Sequence, residues 1–286
     1  MDLSIVIINH HSEQVLGGCL ASIFEQPVRC ACEVLLVDNT GLERGFPLME
    51  RYLAQVRLLT HTGRWGFARN CNYGIVHSCG RHVLLLNADT TVQAGALDRL
   101  VEYLDAHQHV GVAGPRLVYP DGRPQPSVRS FSTIPILLVR GLYLDRWLAG
   151  TPLMRRYFLQ DRDLSRPGPV DVVIGAAMAI RREALEQVGL LDERFFLYFE
   201  DQDLCFRMWQ RGWEVHYVPA AVVTHHYERG SARRVFSRHW RWHVRSMLLF
   251  YAKHYLHPAG LVQAWTGPRL GSSAAGPAPA RGRASA

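Results

Sequence analysis

The sequence predicts an α/β protein, a parallel sheet with helices packed over it. Three observations carry this expectation. Short apolar runs rich in β-branched residues alternate with stretches of helical period from residue 3 to residue 107. The runs are apolar almost throughout, as strands covered on both faces must be. Polar residues stand directly after them, at Asn9, Asp38, Asn39, Asn87 and Asp89. Ligands of open parallel sheets bind beyond the carboxyl ends of the strands, so these five residues mark the expected site.

The elements follow in order. Residues 3–9 (LSIVIIN) form a first strand. Ser12 can N-cap a helix whose apolar positions Val15, Leu16, Cys19, Leu20 and Ile23 keep the helical period. Strands are expected at 33–37, 56–60 and 82–86, with helices at 47–54, 67–78 and 95–107. A run over 111–119 meets Asp121-Gly122, a hairpin signal. Prolines at 124, 126, 135, 152 and 167 break up residues 124–168, which predicts short helices and loops. Residues 170–180 (VDVVIGAAMAI) read as one strand, with Gly175 where a ligand or another backbone approaches closely. After a helix at 182–188, short strands at 214–218 and 221–224 lead into His225-His226, and 236–255 is a long helix. The tail past Pro268 is low in complexity and is expected to be disordered.

The chain has 286 residues, 48% hydrophobic and 20% charged, with a formal charge of +7. That length buries one large core or two lobes. The positive balance suits an acidic partner such as a nucleotide or a phospholipid. A nucleic-acid role is disfavoured, because the arginines gather at 229–245 and in the tail without a recognition module. No apolar run approaches the roughly 20 residues that span a bilayer. MDLSIVIIN has no basic n-region and reads as a strand, not a signal peptide. Six cysteines at 19, 30, 32, 71, 79 and 205 lack zinc spacing and read as reduced cytosolic thiols. The first strand runs into Asn9-His10-His11-Ser12 without a glycine, which argues against a dinucleotide loop, and no Walker A sequence occurs.

Residues 195–207 (FFLYFEDQDLCFR) carry the densest chemistry. Glu200, Asp201 and Asp203 follow an aromatic wall and open an amphipathic run that Gly212 stops. Acids at a helix start can simply answer its dipole. Partial desolvation by aromatic rings also makes one of them a candidate general base. Asn87-Ala88-Asp89, at a strand end, can hold a hard divalent cation that also binds diphosphate oxygens. His225 and His226, ending another strand, are candidate ligands of the same cation.

These residues carry a resemblance. VIGAAMAIRREALEQVGLLDERFFLYFEDQDLCFRMWQRGW resembles the acceptor-side signature of family 2 glycosyltransferases, in their rhamnosyltransferase-like branch. VIINHHS, LLVDNT, RWGFARNCNYGI, LLLNADT and VVTHH are similar to the family's other blocks, in the family's order, over roughly residues 3–250. The resemblance implies a GT-A fold: a Rossmann-like nucleotide-sugar-binding sheet with helices on both faces, plus C-terminal acceptor-side helices. It implies a donor-binding half at 1–118, an acceptor-binding and catalytic half at 119–235, an amphipathic helical region at 236–266 and a tail at 267–286.

The resemblance also implies roles. Asp201 is the counterpart of the family's base, and Glu200, Asp203, Arg207 and Gly175 fall on the acceptor side, where Glu200 and Asp203 bind acceptor hydroxyls or orient Arg207. Donor binding falls to Asn9, Asp38, Asn39, Arg64, Gly66, Arg69, Asn72, Asn87 and Asp89. Asp89, Asn87 and His225 or His226, with His225 favoured, would hold Mg²⁺ or Mn²⁺. The implied reaction is inverting transfer of a sugar, rhamnose from dTDP-rhamnose, to a glycan or polyprenyl-linked glycan in cell-surface polysaccharide synthesis. A UDP-sugar donor and a non-catalytic nucleotide-sugar-binding protein are the alternatives. The sequence departs from the family where Asn87 replaces the first acid of D-x-D and where Arg64-Trp65 precedes Gly66-Phe67. Either Arg64 or Arg69 is placed to meet the diphosphate instead. On the last long helix Trp240, Val244, Met247 and Tyr251 share a face, flanked by Arg238, Arg241 and Arg245. That pattern predicts a cytoplasmic protein resting peripherally on the inner face of an anionic membrane.

Overall fold

The computed structural model describes residues 1–39, 41, 47–141, 144–145, 147–226 and 237–256. The predicted disordered tail, Tyr227–Ser231 and the outer parts of the 236–266 region lie outside the described residues. The chain opens with β1 (Leu3–Asn9), α1 (Glu13–Phe24), β2 (Cys32–Asp38), α2 (Pro47–Leu53), β3 (Arg57–Thr60), α3 (Phe67–Val76) and β4 (His82–Asn87). It continues with β5 (Thr90–Val92), α4 (Ala96–Ala106), β6 (Val110–Val118), β7 (Pro124–Gln125), β8 (Val128–Arg129), α5 (Ile134–Gly141) and α6 (Pro152–Tyr157). The last elements are β9 (Gly168–Pro169), β10 (Val172–Val173), β11 (Ala177–Arg181), α7 (Arg182–Val188), α8 (Glu200–Gln210), β12 (Glu214–His225) and α9 (Arg238–His254).

One 10-stranded sheet runs β3-β2-β1-β4-β11-β6-β12-β5, with β7 beside β6 and β9 beside β12. β1 pairs in parallel with β2 and β4, and β12 with β6, while β11 and β5 run antiparallel to their neighbours. The expected parallel sheet is therefore mixed. Strand side chains alternate between two cores. Val6, Leu35, Val37, Val83 and Leu85 face α3, α8 and α9. Ile5, Ile7, Leu36, Leu84 and Leu86 face α1, α2 and α4. Burying each such aliphatic side chain contributes about 1.5–3 kcal/mol, which is why these strands read as apolar on both faces.

Register assembles the site. Asn9 lies opposite Asp38, and Ile8 opposite Asn87, so three polar residues end adjacent strands. β5, which the residue pattern does not announce, pairs Thr90 with His225. Two strand expectations are corrected. Residues 170–180 break into β10, paired with β8, and β11, paired with β4. The break frees the Gly175 N–H for a side chain rather than a ladder. The two strands at 214–224 are one, β12, with a register shift between Val218 and Val222 that accommodates Pro219. Ser12 does begin α1, but its hydroxyl bonds the His10 carbonyl and leaves capping aside.

α9 also corrects an expectation. Its Met247 and Tyr251 pack on the core, and the Tyr251 hydroxyl donates to the Ser132 carbonyl at 2.7 Å. The proposed apolar membrane face is thus partly an inward face. The outward positions are Arg238, His239, Arg241, Arg245, Leu248 and Ala252.

Candidate active site

Tyr198 and Phe199, just ahead of α8, both sit at φ 69°, in the left-handed region. Bulky residues there store local backbone strain, which persists only when packing over-determines it. Phe199 is buried in the core, and its two-residue bend aims the first turn of α8 back at the sheet. Gly66 closes around this loop. A Cβ on it would stand 2.3 Å from the Phe196 carbonyl oxygen, and the Phe67 N–H donates to that oxygen at 2.8 Å. The close approach of the 195–199 loop thus requires glycine at this position.

Asp201 is half-buried, and its Oδ2 accepts the Gly175 N–H at 3.0 Å. Glu200, beside it, is 6% exposed, and its Oε2 has no partner among the described residues. Burial, and next the charge of Asp201, push the Glu200 carboxyl well above the usual range. The two neighbouring carboxyls therefore sit in different surroundings, Glu200 buried and Asp201 held by a backbone N–H. Both line a cavity of about 260 Å³ together with Gly175, Asn87, His225 and Gln202. Arg129, Arg140 and His243 complete its far wall. No local pattern announced these three: Arg129 lies on a two-residue strand, and Arg140 and His243 reach the cavity only through helix packing.

The strand ends meet as the sequence predicted for some residues and otherwise for others. His225 Nε2 lies 3.4 Å from Asp89 Oδ1. His225 Nδ1 is 2.8 Å from Gln125 Oε1, an acceptor, so Nδ1 carries the proton. That leaves Nε2 and a carboxylate side by side, a donor set that fits a divalent cation. His226 is exposed and turns to the Thr91 hydroxyl at 3.2 Å, so His225 is the better ligand of the two. A second cluster, His109, Glu214 and His216, brings ligating atoms within 4.8 Å of one another. It sits where β12 begins, opposite Val110, at the other end of the strand from His225.

Asn9 and Asp38 are 0% and 1% exposed. The Asn9 amide donates to Asp38 at 2.9 Å and to Glu13 at 2.8 Å, and its Oδ1 accepts the Ser12 N–H. Asn9 thus orients Asp38 more than it faces a ligand, and Glu13 is a partner that sequence reasoning missed. Asn39 Oδ1 lies 3.1 Å from His10 Nδ1. Beyond β3, His61 and Trp65 stack with ring centroids 3.6 Å apart, and the Arg69 guanidinium lies 4.3 Å over Trp65. Arg69 also faces Glu193 at 3.5 Å, and Arg64 points to solvent. None of Arg64, Gly66, Arg69 and Asn72 lines the cavity. Asn72 is committed elsewhere, donating to the Leu191 carbonyl at 2.8 Å and accepting its N–H at 3.0 Å.

Asp203, expected to bind the acceptor or to orient Arg207, does bond Arg207 and lies in the interior. Asp203 is 0% exposed and bonds Arg207, Lys253 and His254 at 2.9, 2.6 and 2.7 Å. Arg207 also donates to the carbonyls of Val188, Gly189 and Leu190. The pair fastens α9 and the 188–190 turn to α8. The expected site thus splits in two, with Asp201 facing the cavity and Asp203, two residues on, facing the core.

A mixed sheet of this order, with an acid and an imidazole at its carboxyl ends and a second acid at a helix start above them, defines a glycosyltransferase of the GT-A kind. The sequence model of the family described as "Glycosyltransferase like family 2" matches residues 2–244. The chain belongs to this family. It is 32% identical over 260 residues to the N-acetylglucosaminyl-diphospho-decaprenol L-rhamnosyltransferase of Mycobacterium tuberculosis, covering 86% of this chain and 81% of the relative. Among solved structures, the mannosyltransferase PcManGT from Pyrobaculum calidifontis, in complex with GDP-Man and Mn²⁺, aligns with a TM-score of 0.56 at 21% identity. GalNAc-T7 with UDP, GalNAc and Mn²⁺ aligns with a TM-score of 0.58 at 18% identity. Each alignment covers 80% of this chain, which spans only 58% and 44% of those two chains. At these identities they speak to the fold alone.

Proposed function

We propose that the protein transfers rhamnose from dTDP-rhamnose, with inversion, to a sugar carried on a polyprenyl diphosphate in cell-surface polysaccharide synthesis. The observation that carries the reading is the cavity that brings Asp201, Asn87 and His225 together. Asp201 takes the proton of the acceptor hydroxyl as that oxygen attacks the anomeric carbon, and the nucleoside diphosphate leaves from the opposite face. The Gly175 N–H holds the Asp201 carboxylate in place for this. Asp89, His225 and Asn87 would hold Mg²⁺ or Mn²⁺, which supplies charge to the leaving diphosphate when bound. The relative named as a rhamnosyltransferase supports the choice of sugar and of a diphosphate-linked acceptor. Among the described residues no helix is long and apolar enough to cross a membrane. The outward arginines of α9 support peripheral contact with the cytoplasmic face of an anionic bilayer.

The test incubates the purified chain with a panel of dTDP-, UDP- and GDP-sugars and a polyprenyl-diphosphate-linked sugar, and measures released nucleoside diphosphate. Release from dTDP-rhamnose above all other donors is expected, with the opposite anomeric configuration in the product by NMR. Release only from a UDP-sugar would replace the donor assignment. Donor binding without release under any pairing would point to a non-catalytic binding protein.

A further inference from the structure

Arg129 and Arg140 enter the Asp201 cavity from different elements, one from β8 and one from the last turn of α5. Arg140 Nη1 donates to the Tyr157 hydroxyl at 2.5 Å. Two neighbouring groups register the local charge. Burial should raise the Tyr157 phenol, yet Arg140 and Arg129 bring it below its ordinary value. Burial first, then the same two arginines, lower the His243 imidazole to about 4, so it stays neutral on the cavity wall. Two guanidiniums converging on one concavity suit the charged oxygens of a diphosphate.

A second observation indicates what carries that anion. α5 turns Arg140 to the cavity while Ile134 and Leu138 stand 61% and 59% exposed. Leu144 and Leu153 are 40% and 37% exposed nearby in sequence, and Trp147 is 88% exposed. Single exposed apolar residues are ordinary. This run falls in one short stretch that also carries the exposed Arg155 and Arg156, the composition of a segment resting at a lipid–water boundary.

We propose that Arg129 and Arg140 form a subsite for the diphosphate of a lipid-linked acceptor, whose hydrocarbon chain leaves toward the apolar outer side of α5. The proposal deepens the transfer reading above and rests on it for the attached sugar. Its binding step is measured separately.

Farnesyl diphosphate, farnesol and inorganic pyrophosphate are titrated calorimetrically into the full chain, with saturating dTDP and Mg²⁺ present. Farnesyl diphosphate is expected to bind most tightly, pyrophosphate less and farnesol least. Arg129→Gln and Arg140→Gln should each weaken farnesyl diphosphate by about 10-fold or more, and Arg140→Lys should recover part of the loss. The paired change Ile134→Ser and Leu138→Ser, at exposed positions, should weaken farnesyl diphosphate and leave pyrophosphate unchanged. If an arginine variant fails to fold by circular dichroism, this pair and the wild-type ligand order still decide the question. Equal binding of pyrophosphate and farnesyl diphosphate would assign a free phosphate ligand and overturn the lipid. Unchanged affinity in folded arginine variants, or displacement of farnesyl diphosphate by dTDP, would overturn the subsite. Failure of every nucleotide to bind would sink the transfer reading while leaving the lipid result to stand or fall alone.

Discussion

Asp89 and His225 face each other across the ends of two strands, Oδ1 and Nε2 3.4 Å apart. With Gln125 accepting at Nδ1, the facing nitrogen and carboxylate are matched to a shared cation. Asp89→Ala should therefore lower transfer by about 10²-fold or more and weaken donor nucleotide binding. Excess EDTA should do the same to the wild type, with activity returning on addition of Mg²⁺ or Mn²⁺. Undiminished turnover in EDTA would remove the metal from the reading.

Asp201→Asn keeps the size of the side chain and an oxygen for the Gly175 N–H, but cannot accept a proton. Transfer should fall by about 10²-fold or more while donor affinity changes little. Rates measured beside calorimetric nucleotide binding decide this. A variant with near wild-type turnover would return Asp201 to the role of a helix-start acid.

Asp203→Asn should act on stability instead. Burial alone would raise the Asp203 carboxyl, but the His254 hydrogen bond and the charges of Arg207 and Lys253 outweigh it and hold the carboxyl below its ordinary value. A depressed folded pKa stabilises above the unfolded value and is lost as pH falls through the folded one. Leaving Lys253, His254 and Arg207 without their shared carboxylate should cost about 3–5 kcal/mol. Denaturant unfolding at pH 7 should show this loss, and the gap to wild type should narrow in acid. Acceptor KM in the folded fraction should not move.

Glu200→Gln should have the opposite pH signature. The folded Glu200 carboxyl is raised by burial and by the Asp201 charge. A raised carboxyl binds its proton more tightly in the native state, so its contribution is full below the unfolded value and is lost as pH rises through the folded one. The wild-type melting temperature minus that of the variant, followed from pH 5 upward, should fall as pH rises. Equal slopes in the two proteins would mean that Glu200 is ionised throughout.

Sequence alone determined the α/β class and the local chemistry of the site. Strands covered on both faces must be apolar throughout, so β1, β2 and β4 were legible, and the polar residues that end them follow from the same rule. Asp201 was legible as a candidate base because an acid run at a helix start behind an aromatic wall is a local pattern. Tertiary structure decided what each acid and cation faces. One helical turn holds both Asp201 and Asp203, but α9 packs on only one side of it, so Asp203 goes to Lys253 and His254 and Asp201 to the cavity. The pairing of β5 with β12 sets the His225 imidazole, not that of His226, against Asp89. Arg129 and Arg140, on β8 and α5, are about a hundred residues from His243 on α9, and only the packing of these elements brings the three to one wall. Periodicity and composition report what a residue's own segment must bury. They carry no term for contacts between segments, and those contacts assign the roles within this site.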